Sequence, residues 1–340
     1  MCGIVAAAAQ REVSEILLEG LRRLEYRGYD SAGMALIDKN HALQLHKYAG
    51  KVQALEDANA QNPIAGFRGI AQTRWATHGE PTSLNAHPHL AGNRVAVVHN
   101  GIIENHSHLR DALIAEGVEF LSQTDTEVIV HLIHKALMSG ATLLEAVQQT
   151  IAQLEGAYAI AVVDIEHEDE VIVAREGSPL VLGVGSGETF AGSDTLALRQ
   201  VTDTFVYLED GDLAILKPTG FKIFDAKGGA IDRPKTRLTG SDGQADRGGF
   251  EHYMLKEIYE QPDRLRDTLT FESLDDSLFG ENAAAIFDQV QAVQIIACGT
   301  SYHAGLVARH WLEALAGVPC QVEVASEFRY RRSVALPGTS

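Results

Sequence analysis

Cys2 precedes Gly3-Ile4-Val5, an apolar run that reads as the opening of a buried strand. A small residue at position two permits removal of the initiator methionine, which would leave Cys2 carrying a thiol and a free α-amine together. A free thiol has a pKa of ~8.5 and an α-amine ~7.7–8.0, so the amine can take and return the thiol proton near neutrality. Terminal amines act as bases for hydroxyl and thiol nucleophiles in acyl transfer. A small apolar residue that simply begins a strand fits the position equally well.

Two polar loops hold further candidates. One reads Arg74-Trp75-Ala76-Thr77-His78-Gly79 and the other His99-Asn100-Gly101. Cleaving an amide needs an anchor for the charged end of the substrate and donors where the carbonyl becomes an oxyanion. Arg74 can fork onto a carboxylate, and Asp125 at a helix start can receive an ammonium. The Asn100 side chain and the Gly101 amide can form an oxyanion hole, with glycine allowing close backbone approach. Taken singly, Arg74 could cap a sheet edge, Asn100-Gly101 could be a turn, and Asp125 could complement a helix dipole.

The elements that must position these residues follow from periodicity. Val13 to Leu24 puts Ile16, Leu17, Leu21 and Leu24 on one helical stripe, ended by turn residues from Arg27 to Ser31. Strands are expected over 32–37, 42–48, 68–74 and 94–99, with a short helix over 51–58. Helices over 105–116, from Thr124 and over 143–154 lead into strands at 158–164, 170–174, 180–184, 189–191, 204–208 and 213–216. Thr124 and Glu127 have the spacing of a capping box. Strands at both ends with helices between them imply packed sheets covered by helices, an α+β fold.

Residues 237–250 are rich in Gly, offer almost nothing apolar to bury and read as a linker between a domain over 2–236 and a segment over 251–340. In that segment a short strand, 293–297, runs into Cys298-Gly299-Thr300-Ser301 and a helix, then a second strand at 320–325. Such an order opens a parallel α/β domain, and the turn gathers amides and two hydroxyls where an anion is favoured.

The chain has 340 residues, 28 basic against 46 acidic, for a net charge of −18. That charge disfavours nucleic acid and anionic membrane surfaces as partners. Three widely spaced cysteines form neither a disulfide framework nor a metal or redox pair, and no stretch approaches the ~20 apolar residues of a membrane span. A reducing cytoplasmic setting is expected, without metal or cofactor. Gly183 to Gly187 reads as a tight turn, not a dinucleotide loop. Glu127, His131 and His134 share a helix face, read as solvated or hydrogen-bonded before metal-binding. His87-Pro88-His89 and His106-Ser107-His108 read as polar loops, and Trp311 as core.

Cys2 to Val5, Leu24 to Gly33, Thr73 to Gly79, His99-Asn100-Gly101 and Thr124 to Glu127 resemble the class II glutamine amidotransferases. The resemblance implies a four-layer αββα N-terminal-nucleophile hydrolase sandwich that splits L-glutamine into glutamate and ammonia. By matching motif, Cys2 is nucleophile and base, Asn100 and Gly101 are the oxyanion hole, and Arg74, Thr77, His78 and Asp125 bind glutamine. Arg27 lies near the nucleophile and Trp75 gates the ammonia path. The segments around Arg27 to Asp30 and Trp75 favour the branch that delivers ammonia to fructose 6-phosphate and works as a homodimer. Ala297 to His303 and Ala325 to Arg331 resemble the first sugar-isomerase (SIS) domain of that branch, where Thr300 and Ser301 touch the sugar phosphate. The isomerase's own catalytic residues would lie beyond Ser340. Rival expectations are a non-catalytic sugar-phosphate-binding regulator, or an amidotransferase with another acceptor.

Overall fold

The computed structural model describes residues 2–76, 78–167, 169–238, 249–268, 282–332 and 334. The chain begins β1 (Gly3–Ala9), α1 (Ser14–Leu24), β2 (Ser31–Ile37), β3 (Leu43–Ala49), α2 (Val52–Gln61), β4 (Arg68–Arg74), β5 (His89–Ala91) and β6 (Val95–Ile103). Three helices follow: α3 (His106–Ala115), α4 (Thr126–Met138) and α5 (Leu143–Ile151). Then come β7 (Gly156–Asp164), β8 (Val171–Glu176), β9 (Val181–Val184), β10 (Glu188–Gly192), β11 (Thr204–Tyr207), β12 (Leu213–Lys217), β13 (Gly220–Phe224), β14 (Ala230–Ile231) and β15 (Lys235–Arg237). The tail holds α6 (Tyr253–Thr268), α7 (Ala283–Phe287), β16 (Val293–Ala297), α8 (Gly299–Trp311), β17 (Cys320–Val324) and α9 (Ala325–Tyr330). Contacts divide the chain into two compact units that meet between Tyr253 and Met254.

The first unit stacks two antiparallel sheets. One has the order β15-β11-β9-β10-β1-β4-β2-β3, the other β14-β13-β12-β8-β7-β6-β5. Strand alternation sorts their side chains. On β1, Ile4, Ala6 and Ala8 face the second sheet and meet Ala96, Val98 and Ala161. Val5, Ala7 and Ala9 face the other way, against Leu17 and Leu21 of α1. α3, α4 and α5 cover the outer face of the second sheet through Leu113, Ile129, Ile133 and Val147. With both faces buried, the central strands read as continuous apolar runs. Burying a leucine such as Leu17 or Leu21, each fully inaccessible, contributes about 1.5–3 kcal/mol. A Cβ on Gly20 would stand 2.9 Å from Val5 Cγ2, so the glycine lets α1 sit close on β1.

The structure departs from the sequence reading at several places. The helix expected from Thr124 starts at Thr126, with Asp125 at its N-cap and no side-chain cap. Glu127 instead accepts from the Leu121 and Ser122 N–H groups, each at 2.7 Å, and from the Ser122 hydroxyl at 2.5 Å. Thr124 Oγ1 bonds His89 Nε2 at 2.9 Å. The capping box occurs one helix later, at Thr142 and Glu145. His87 and His89 are buried, not in a polar loop, and burial pushes His89 down to about 3. His106 and His108 lie on α3. β5, β13, β14 and β15 had no counterpart in the periodicity; β5, β14 and β15 are edge strands of two or three residues, which carry too few alternations to register. β15 pairs Arg237 with Thr204, so the sheet reaches one residue into the expected linker. Residues 239–248 of that linker lie outside the described residues.

In the second unit β16 and β17 pair parallel, with Val293 opposite Cys320. α8 crosses between them, and Gly305 lets it approach Ile295, whose Cγ2 would stand 2.9 Å from a Cβ there. Trp311, expected as core, is 64% exposed: a two-stranded sheet offers too little apolar surface to cover it. Among the described residues, no helix is long and apolar enough to cross a membrane.

Candidate active site

The alternation that builds the inter-sheet core also places the chemistry. Ile4, Ile70 and Val98 face that core; two residues further along the same stripes stand Cys2 just ahead of β1, Gln72 on β4 and Asn100 on β6. Polar groups therefore cluster at one end of the sandwich. β1 and β4 run antiparallel with Gly3 opposite Thr73, which brings Trp75 beside Cys2. The Trp75 N–H donates to Cys2 Sγ at 3.2 Å. Burial raises the Cys2 thiol above its ordinary value, and the Trp75 N–H and Arg74 oppose that rise.

Asn100 Nδ2 donates to the Cys2 carbonyl oxygen at 3.1 Å. Gly101 next to it has φ +132, and a Cβ there would stand 1.9 Å from the Ala157 oxygen, so this position on β6 admits glycine alone. Arg27 reaches Ser193, donating to its carbonyl oxygen at 3.3 Å and its hydroxyl at 3.2 Å. Trp75 lies across Gly28, where a Cβ would come 2.3 Å from Cε3 of the indole. Cys2, Arg27, Trp75, Asn100 and Gly101 line one cavity of about 420 Å³. Ile102, Ser178 and Pro179 complete its wall; nothing in their local sequence marked them, because they arrive from β6 and the β8–β9 connection. A larger cavity of about 590 Å³ sits at the opposite end of β1, by Ala9 and Arg68, away from the sulfur.

Arg74, His78 and Asp125 are adjacent in space but do not line that cavity. Arg74 is buried and donates to the carbonyl oxygens of His78, Gly79 and Glu80, the last two at 3.3 Å. It also lies 3.7 Å from Asp30 Oδ1. Asp30 accepts the Ala76 N–H, so these two side chains shape the loop after β4. Sequence reasoning quoted Asp30 within a motif and gave it no role. Asp125 Oδ2 accepts the Ile103 N–H at 2.8 Å, and Oδ1 lies 4.0 Å from His78 Nδ1. The His78 ring packs edge-on to His106 with centroids 4.9 Å apart. Thr77 lies outside the described residues. Thr300 and Ser301 are exposed in the first turn of α8, in the second unit.

The two layered antiparallel sheets, with Cys2 at one end of the sandwich, have the fold of solved amidotransferases. Residues 79–200 match the glutamine amidotransferase domain family and residues 286–337 the SIS domain family. A glutamine phosphoribosylpyrophosphate amidotransferase from B. subtilis aligns over 94% of this chain and 65% of its own, with TM-score 0.58 and 22% identity, which speaks for the fold alone. More narrowly, the chain resembles the glutamine-fructose-6-phosphate aminotransferases (isomerizing) from end to end. The Pseudomonas putida enzyme of that name is 55% identical over all of this chain and 56% of its own length. That from Yersinia pseudotuberculosis is 52% identical over the same shares. The chain thus spans little more than half the length of these relatives.

Proposed function

We propose that the first unit hydrolyses L-glutamine to glutamate and ammonia with Cys2 as nucleophile. The reading is carried by one observation: Cys2 Sγ, Asn100 and Gly101 open onto a single cavity. Loss of the initiator methionine frees the Cys2 α-amine. As Sγ attacks the side-chain amide carbon, the amine takes the thiol proton and the carbonyl becomes an oxyanion held by Asn100 Nδ2 and the Gly101 N–H. The amine then gives the proton to the leaving nitrogen, the C–N bond breaks, and ammonia departs from a thioester. Water, deprotonated by the same amine, adds through a second oxyanion and releases glutamate and the thiol. A base is required because burial raises the thiol above its ordinary value, and the attacking species is the thiolate.

Arg74, Thr77, His78 and Asp125 hold the α-carboxylate and α-ammonium of glutamine, Arg27 stands near the nucleophile, and Trp75 gates the exit of ammonia. In the complete protein the ammonia converts fructose 6-phosphate to glucosamine 6-phosphate, with Thr300 and Ser301 at the sugar phosphate. That protein works as a cytoplasmic homodimer without a nucleic-acid partner, consistent with the net charge of −18. The test compares trimmed protein with protein keeping Met1 or an N-terminal tag. Trimmed protein is expected to release glutamate and to be labelled at Cys2 by an electrophilic glutamine analogue, read by mass spectrometry. Equal turnover by the tagged form would remove the terminal-amine base, and an unlabelled, inactive trimmed form would leave a non-catalytic binder.

A further inference from the structure

We infer that Gln72 is a positioning residue that fixes which way the Asn100 amide points; the inference rests on the glutaminase reading. Gln72 is fully buried on β4 and reaches across the gap between the two sheets. Its Nε2 donates to the Asn100 Oδ1 at 2.9 Å and to the His99 carbonyl oxygen. The His99 oxygen belongs to the main chain and can only accept, so the Gln72 end facing it must be the NH₂. That same NH₂ then meets Asn100, whose near atom must be its oxygen. The Asn100 NH₂ is left to face Cys2, 3.1 Å from its carbonyl oxygen.

A flipped Asn100 would set two NH₂ groups against each other beside the buried Gln72 and turn an oxygen toward a developing oxyanion. Gln72 Oε1 is buried with no hydrogen-bond partner among the described residues, so the side chain serves these two acceptors alone. It also ties β4, which ends at Arg74 and leads into Trp75, to β6, which carries the oxyanion donors. Gln72 does not touch the substrate; it acts through Asn100.

The experiment uses Gln72→Met, Asn100→Ala, the double variant and Gln72→His, with glutamine hydrolysis followed at several substrate concentrations. Gln72→Met keeps the side-chain length and is expected to lower kcat about 10–100-fold with KM within about threefold, a fraction of the ~10²–10³ carried by a full oxyanion donor. In the Asn100→Ala background the same change should cost less than about twofold, because the group it orients is gone. Gln72→His keeps an N–H within reach of one acceptor and should lose less than Gln72→Met. The role is overturned if kcat is unchanged, if the loss appears in KM, if it multiplies fully onto Asn100→Ala, or if Gln72→His is as poor as Gln72→Met. Failure of the parent protein to hydrolyse glutamine would instead sink the glutaminase reading itself.

Discussion

Gly101→Ala tests whether backbone geometry on β6 creates the oxyanion site. Gly101 has φ +132, and the added Cβ would stand 1.9 Å from the Ala157 oxygen and 2.7 Å from its carbonyl carbon. Ordinary contacts begin near ~3.5 Å, so β6 and β7 would have to part by about 1.5 Å where Gly101 pairs with Tyr158. The backbone conformation costs ~1–3 kcal/mol and the overpacking a similar amount. A total near 4 kcal/mol lowers the melting temperature of a unit this size by ~8–16 °C. Displacing Asn100 and the Gly101 N–H by ~1 Å costs about 10²-fold in rate. The assay pairs kcat and KM for glutamine with thermal melting by circular dichroism. A variant that melts near the parent temperature and keeps kcat within about threefold would refute the reasoning, since both readouts derive from the same clash.

Acid stability should depend on Glu127. Burial alone would raise its carboxyl, but His131, 3.6 Å away, and bonds from the Leu121 N–H and the Ser122 N–H and hydroxyl hold it down to about 2. A depressed native pKa gives stability that is present above the unfolded value of ~4.3 and lost as pH falls toward 2, about 3 kcal/mol in all. Urea unfolding should therefore separate the parent from Glu127→Gln by about 3 kcal/mol at pH 6 and by little at pH 2; a gap that does not change with pH counts against the assignment. Gly28→Ala should push the Trp75 indole off its seat, because the new Cβ would lie 2.3 Å from Cε3. Fluorescence in a Trp311→Phe background, which leaves Trp75 as the one emitter of two tryptophans, should change in intensity and wavelength, and an unaltered spectrum would place the ring elsewhere.

Periodicity by itself determined the layers. Ile16, Leu17, Leu21 and Leu24 announced a helix with one buried stripe, and the 68–74 and 293–297 strands fall where the sequence places them. Residue types determined the chemistry on offer: a thiol at position two, an Asn-Gly pair, and an Arg-Trp loop. These are local properties, set by the 3.6- and 2-residue repeats and by what each side chain can donate, accept or attack. Partners were decided only in three dimensions. Glu127 has capping-box spacing yet bonds the 121–122 backbone, and Thr124 gives its hydroxyl to His89. Arg74 holds the carbonyls of its own loop. Gln72 carries no motif, and its importance lies in Asn100, 28 positions away and on the other sheet. Such contacts depend on strand order and on the spacing between sheets, which a one-dimensional pattern does not contain; the packed core fixes both, and only then do separate loops become one site.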